Sequence, residues 1–487
     1  MRQPRDSLVG VVPEGMLRAG LVALLLVACG HGGGSQQSAP QRRDVGAMAT
    51  KAPRDLAPGP LGVATLDGFG WRKRAGQPAF RAARTAEAAG DWSAVVTACR
   101  QALAADPQHL EAAYLLAVAL SKTGGGDELL APLTTAVEGD FGKWGDASLA
   151  QPALQAWLAT ETGGAWQRLI ARDHAAFTAA LGRAVIVVAG GDLYAFDPDS
   201  SRWLRLTRTF GTVVAAFRSP SEPRIAYITR ARTKRSAASQ LGVGIVDLAS
   251  GHTVNPTPIT AGSSIELAWM TQPPSFVLRA GGYWTIDRDG ALVSTAVKTA
   301  LPISGATLEV HGHSSRIRQR PGAIADVIAD WDALGLASAI RVGAAKRAVS
   351  VPSPGLIDGA TLAWSPDRTH IAFVVQLDDH CANGVGNAGV FIADAATGTT
   401  TELERAKHGV SLEWLSDRRL AIAGDSGVTL RDLQSPAAVA IAGATDLIAP
   451  RRVPKCTPDP DAAPDETPPS DDDAAAGDEP SDAGVRP

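Results

Sequence analysis

Two hydrophobic periods divide the chain. From about residue 71 to 182 apolar side chains recur every three to four positions, and Leu110, Tyr114, Ala117, Val118 and Leu120 place one apolar stripe along a helix. From Ala184 the period drops to two. Short runs such as Val185-Ile186-Val187-Val188 and Ile371-Ala372-Phe373-Val374-Val375 then alternate with Asp, Gly and Pro turns. This pattern predicts helices first and β-strands after them. Neither period holds between Gly30 and about Pro60, which is Gly/Ser/Gln/Pro-rich, nor in 457–487, so both stretches read as flexible chain.

Each period is itself repeated. Strand-plus-aspartate turns recur at Phe196-Asp197, Val246-Asp247, Ile286-Asp287, Ala329-Asp330, Ala393-Asp394 and Arg431-Asp432, spaced 50, 40, 43, 64 and 38 residues apart. About forty residues is the length of a four-stranded antiparallel unit, which cannot bury both faces alone and therefore packs against copies of itself. Upstream of most aspartates lies an aromatic turn: Phe217-Arg218-Ser219-Pro220, Trp269-Met270-Thr271, Trp364-Ser365-Pro366-Asp367 and Trp414-Leu415-Ser416-Asp417. In the fourth unit Val310-His311-Gly312-His313 stands in that place. The stretch 361–403, built on Trp364-Ser365-Pro366-Asp367 followed by Ile371-Ala372-Phe373, resembles the TolB-type, WD40-like propeller repeat. The resemblance implies a β-propeller over 183–456 with about six four-stranded blades, a seventh requiring a hidden blade in the 64-residue interval. Thr445-Asp446-Leu447-Ile448-Ala449 follows the last unit without a partner, and the first unit is short of a strand. We expect the two to pair and close the ring.

In the helical part, Gly90 to Gly124 and Ala102 to Ala136 are both separated by 34 residues. With Gly90-Asp91-Trp92 and Pro107, this spacing resembles the tetratricopeptide repeat. Residues 148–182 add a helical pair turning at Gly163-Gly164. The expected fold class is α + β multidomain: a short TPR-like helical domain over 71–182, then the propeller.

The N-terminus changes the picture of where this fold sits. Arg18 precedes an apolar run, Ala19 to Ala28, too short to span a bilayer as a helix. It ends Leu26-Val27-Ala28-Cys29, which resembles the bacterial lipoprotein lipobox. The resemblance implies that 1–28 is a signal peptide, that Cys29 carries lipid, and that 29–70 is a tether. Several acyl chains give stable anchoring at ~0.8 kcal/mol per buried CH2. Gly30 rather than Asp after the cysteine points, by the same resemblance, to the outer membrane, facing the periplasm or the cell surface.

Composition adds little to this. Apolar residues are 45% and charged residues 20% of 487, which is globular. Residues 457–487 hold ten Asp/Glu and one Arg, a net of −9, so the remaining chain carries −4 + 9 = +5. A mildly positive body with 9 Lys among 46 basic residues gives no reason to expect a nucleic-acid partner.

Candidate chemistry is sparse. Gly384-Val385-Gly386-Asn387-Ala388-Gly389 fits the dinucleotide fingerprint, but a strand follows it where a helix N-terminus would have to hold the pyrophosphate. His311 and His313 would share one strand face without a third ligand. Asp378-Asp379-His380 near Asn383 lacks the spacing of a calcium loop. No G-x-S-x-G, H-E-x-x-H, C-x-x-C or Walker motif occurs, so no catalytic residue, metal or cofactor is expected. The repeated aspartates sit in turns, where Asp hydrogen-bonds its own backbone. Cys99 falls on a helix and reads as a buried thiol. Cys381 and Cys456 remain, both in irregular polar sequence, and export to an oxidising compartment permits a disulfide between them. The reading is a lipid-anchored envelope protein that binds protein partners as a scaffold or accessory subunit. The competing reading is a propeller enzyme or small-molecule sensor using the central channel.

Overall fold

The computed structural model describes residues 55–70, 74–219, 221–232, 239–259, 264–295, 303–311, 314–319, 326–332, 335–352, 355–359, 361–377, 380–381, 387–407, 409–435, 437–444, 447–448 and 457–458. The described part begins with α-helices and continues as antiparallel sheets, in the order that the two hydrophobic periods predict.

The helices are α1 (Gln77–Ala88), α2 (Trp92–Ala105), α3 (Leu110–Thr123), α4 (Leu130–Gly139), α5 (Phe141–Ala150), α6 (Gln155–Leu158) and α7 (Glu161–Arg183). Three of them, α2, α3 and α7, start on side-chain caps. The Asp91 carboxylate accepts from Ala94 N at 3.0 Å, His109 Nδ1 from Ala112 N at 3.2 Å and Thr160 Oγ1 from Gly163 N at 3.1 Å. Helix α3 is the hub, because every residue from Ala112 to Leu120 is buried. Gly90 and Gly124, the pair 34 residues apart, both take left-handed φ just past a helix. Cys99 on α2 is fully buried, and burial pushes its thiol up to about 12.

One local expectation fails. Gly163-Gly164 is not a turn between two helices but lies in the first turn of the continuous 23-residue α7. A Cβ on Gly163 would overlap the Trp157 carbonyl and the Leu158 backbone. The glycine therefore serves close packing of α7 on α6, and the chain turns earlier, at Ala159-Thr160.

Residues 55–69 lie within the span read as tether, and they run along the helices. Asp55 pairs with Arg168 at 2.8 Å and Gly62 N donates to Glu138 O at 2.6 Å. Val63 exchanges two backbone hydrogen bonds with Trp203. Near this segment, Asp173 on α7 is fully buried with neither carboxylate oxygen hydrogen-bonded. Burial, and then the charge of Glu138 on α4, push its pKa up to about 6, against the opposing charge of Arg172. The native state therefore binds this proton more tightly than the unfolded chain does. The group costs nothing below pH 4, and its penalty grows to about 3 kcal/mol as pH rises through 6. Asp173→Asn is expected to raise the melting temperature at pH 8 and to leave it nearly unchanged at pH 4. Equal effects at both pH values would contradict this account.

The first sheet holds β1 (Val185–Ala189), β2 (Asp192–Asp197) and β3 (Arg202–Arg205), the second β4 (Val213–Arg218), β5 (Arg224–Arg232), β6 (Ser239–Asp247) and β7 (Thr253–Ile259), each in sequence order. The third departs from a four-stranded unit. Its order is β11 (Leu292–Ser294), β10 (Tyr283–Ile286), β9 (Pro274–Arg279), β8 (Ser264–Thr271), β12 (Ile303–His311), β13 (Ser314–Gln319). The poorest repeat thus does not open a sheet of its own. Leu308 and Val310 instead join the core of Ile265, Leu267 and Leu278, which draws β12 onto the edge of β8.

The 64-residue interval is shared between sheets. Ala339–Val342 and Arg347–Ser350 complete a three-stranded sheet with Val327–Ile328. Leu336–Ala337, Leu356–Asp358 and Ala363–Trp364 join His370–Gln376, Ala388–Asp394 and Thr400–Ala406. A four-stranded sheet from Ser411–Trp414 to Ala438–Ala440 follows.

The repeated aspartates do act on their own backbone. Asp247 accepts from Ala249 N and Ser250 N, Asp287 from Ala291 N, Asp394 from Ala396 N and Thr397 N, and Asp432 from Gln434 N. Asp197 accepts from Asp199 N and Ser200 Oγ. The bond from Thr397 N is the main reason the Asp394 carboxyl sits below its ordinary range. In the fourth unit Asp332 rather than Asp330 builds the turn, accepting from Leu336 N.

The chain end returns to its start. Leu447 forms an antiparallel bridge with Val187, and Ile448 N donates to Ile186 O at 3.3 Å. Leu447 and Ile448 are both buried, so the chain end pairs with the first sheet at these two residues. The helices and the first two sheets share one core, running from Phe80 through Trp166 and Phe177 to Ile186, Leu204, Tyr227, Val246 and Ile448.

Candidate functional site

A cavity of about 380 Å³ opens between the second sheet and the β3–β4 connection. Its floor is a face of the second sheet from which side chains have been removed. Thr229 stands opposite Gly242 and Tyr227 opposite Gly244 in the β5–β6 register. A Cβ on Gly242 would come within 2.8 Å of Thr229 Oγ1, and one on Gly244 would overlap the Tyr227 ring, so only glycine leaves room for both side chains. The Tyr227 hydroxyl donates to Val254 O at 2.7 Å, and burial raises its pKa. The outer wall is the edge strand β7, where Pro256 and Pro258 lack the N–H that would invite a further strand.

The facing wall is the β3–β4 connection, 206–212, and one buried carboxylate holds it. Asp192 accepts from Arg205 Nη2 at 2.8 Å, Thr207 Oγ1 at 3.0 Å, Thr209 N at 2.6 Å and Thr209 Oγ1 at 2.9 Å. Arg208, in the same connection, pairs with Asp140 between α4 and α5. Its Nε is buried without a hydrogen-bond partner. Next in the chain is Phe210, 70% exposed with φ +58, a left-handed conformation that costs about 1–2 kcal/mol outside glycine. Helix α7 packs on the same two sheets. Arg183 pairs with Asp197 at 2.7 Å, and the Phe177 ring covers Gly251 in the β6–β7 turn.

The residues singled out from sequence do not converge on this cavity. Cys29, Cys456, His313, Asp378, Asp379 and Asn383 lie outside the described residues. His311 ends β12, its backbone opposite Ser264 and Ser314. His380 and Cys381 form a two-residue strand pairing in parallel with Thr457–Pro458, so His380 stands opposite Thr457. The strand Ala388–Asp394 begins within the glycine-rich motif, where the dinucleotide reading would need a helix. Among the described residues, no group of three or more His, Cys, Asp or Glu is placed to hold a metal, and no helix is long and apolar enough to cross a membrane. The cavity itself had a signal in the sequence: Gly242-x-Gly244 on a strand, Asn255-Pro256-Thr257-Pro258 on the next, and the threonine-rich run 207–212.

No protein-family model matches the chain, and no curated protein matches it. Solved structures show remote likeness. A GH74 enzyme of Niastella koreensis is 14% identical over 52% of this chain and 45% of its own, with a TM-score of 0.23. The AtxE2 isopeptidase, in a variant with astexin3-dC4 bound, is 10% identical over 54% of this chain and 53% of its own, at 0.28. The tricorn protease is 10% identical over 54% of this chain and 25% of its own, at 0.20. The chain spans about half the length of the first structures it matches, and at these scores the likeness carries no assignment of activity.

Proposed function

We propose that this is a lipid-anchored envelope protein that works by binding, as a scaffold or accessory subunit for a protein partner. In this reading 1–28 is a lipoprotein signal, Cys29 bears the lipid, and a TPR-like region stands on a TolB-type propeller of about six blades. The acidic segment 457–487 serves as a solubilising tail, and the site is the outer membrane. The observation that carries the reading is the shared core. Helices joined to sheets through Phe177, Leu181, Leu204 and Val246 form a rigid flange rather than a swinging appendage. Rigid helical repeats are efficient docking surfaces because little entropy is lost on binding. Metabolic labelling with a fatty-acid precursor should mark the wild type and miss Cys29→Ala; equal labelling of both would end the anchor assignment.

A disulfide between Cys381 and Cys456 belongs to the same proposal. The pairing of His380–Cys381 with Thr457–Pro458 supports it, since it brings together two segments some 75 residues apart. Two thiols would pass two protons and two electrons to a disulfide-bearing oxidoreductase, and the loop-entropy model assigns such a link ~4 kcal/mol. Non-reducing peptide mapping should recover a linked pair containing both cysteines; free alkylation of both would exclude it.

A second reading, a small-molecule sensor, is favoured by the cavity between the second sheet and the β3–β4 connection, with the ligand there rather than in a central channel.

A further inference from the structure

We propose that residues 55–61 form a strap over helices α4 and α7 that is closed in acid and lifts near neutral pH, with the buried carboxyl group of Asp173 as its trigger. The inference is independent of the docking role given to the helices.

The strap is weakly held. Asp55, Ala57, Pro58 and Pro60 are exposed, and the half-buried Leu56 and Leu61 supply its packing on the apolar core. Its polar ties are few. The pair Asp55–Arg168 lies in solvent and contributes little. Arg172 donates to Leu56 O, and Gly59 N donates to the Glu138 carboxylate. The next two residues are fixed on both sides. Gly62 N donates to Glu138 O at 2.6 Å, Arg202 Nη1 donates to Gly62 O at 2.8 Å, and Val63 pairs with Trp203. A segment that buries little apolar surface and hangs from a fixed point opens before the core does.

The closed strap lies beside a group that tolerates no charge. Asp173 follows Arg172 on α7 and feels the charge of Glu138 on α4, the two residues that hold the strap to the helices. It is fully buried, and neither carboxylate oxygen has a hydrogen-bond partner. Glu138 is pressed against the strap backbone, because a Cβ on Gly59 would fall on its carboxylate. Two carboxyl groups are thus held together under a segment that can move.

Linkage gives the direction. Burial, then the charge of Glu138, set the Asp173 pKa at about 6 in place of 3.8, against the charge of Arg172. Lifting the strap admits water and returns the group toward its ordinary value. Between about pH 4 and 6 each pH unit then favours the lifted state by up to about tenfold, about a hundredfold in all, and the effect is constant above that. Burial raises Glu138 too, against the Gly59 bond and the charge of Arg202, so the second carboxyl group acts in the same sense. His174, next on α7, is paired at 4.0 Å with the exposed Asp146 of α5 and serves as a control. In the lipid-anchored reading, a lifted strap lengthens the tether by up to about 24 Å, at ~3.4 Å per extended residue.

The test is pulsed electron–electron resonance on the purified mature chain, with spin labels on keto amino acids placed at Ala57 on the strap and Ala171 on α7, both exposed. The wild type should give one short distance at pH 4.5 and, at pH 7.5, a broad distribution at least 10 Å longer in most molecules. Labels at Ala131 on α4 and Ala171 should keep one distance at both pH values. Asp173→Asn should hold the strap closed throughout, Glu138→Gln should shrink the response, and His174→Gln should leave it intact. An unchanged Ala57–Ala171 distance in the wild type would overturn the proposal. So would a full pH response in Asp173→Asn, or a change in the Ala131–Ala171 pair that matches that of the strap.

Discussion

A chain ending at Gly443 is expected to unfold or aggregate, while one ending at Asp459 melts like the full-length protein. The shorter chain lacks Leu447 and Ile448, which bridge to Val187 and Ile186 and bury themselves in two different cores. Loss of a buried Leu or Ile side chain costs about 2–5 kcal/mol each, against a total stability of about 5–15 kcal/mol for a folded domain. The cut also exposes the edge of β1, whose Val185, Ile186 and Val187 are fully buried in the intact protein. Residues 460–487 contribute no comparable apolar surface, so removing them alone should leave the melting temperature unchanged. Normal melting of the chain stopped at Gly443 would show that the fold does not depend on this seam.

Gly251→Val is expected to lower the melting temperature by well over 5 °C, and to do so for helices and sheets together. Gly251 holds φ +74 in the β6–β7 turn, and a Cβ there would overlap the ring of Phe177 on α7. Left-handed backbone costs a β-branched residue about 1–2 kcal/mol, and overpacking adds about 1–3 kcal/mol, since Phe177 is buried and cannot swing away. Because one core crosses the boundary, far-ultraviolet dichroism of the helices and fluorescence of Trp203 on β3 should lose signal in a single shifted transition. Two separate transitions would show that the helices and the sheets fold independently.

How far the sequence could be read follows from what each pattern measures. Periodicity reports which face of an element is buried, so the change at Ala184 located the boundary between α7 and β1 to within a residue or two. The aspartate turns were legible because an Asp side chain bonds backbone two residues on, wherever the sheet lies. Pairing between sheets is different. Nothing local distinguishes Leu308 and Val310 as partners of β8 rather than as the start of a new sheet, because that choice depends on apolar side chains forty residues earlier. Gly163 misled for a related reason: glycine marks a turn or a close approach, and only the neighbour at Trp157 tells which. The cavity went unseen because none of its residues is unusual alone. Gly244 becomes informative only when Tyr227 is known to lie across it.

The central claim, a protein that works by docking a partner on its helical flange, is tested most directly by photocrosslinking in intact cells. Helix α1 is the first of the stack and leaves Arg81 and Arg84 exposed, and Val439 is exposed on the outer strand of the last sheet. A photoreactive amino acid at Arg81 or Arg84 should yield discrete, light-dependent adducts of one mass, and the same residue at Val439 should yield none. Adducts formed only from Val439, or none from either helical position, would contradict the account.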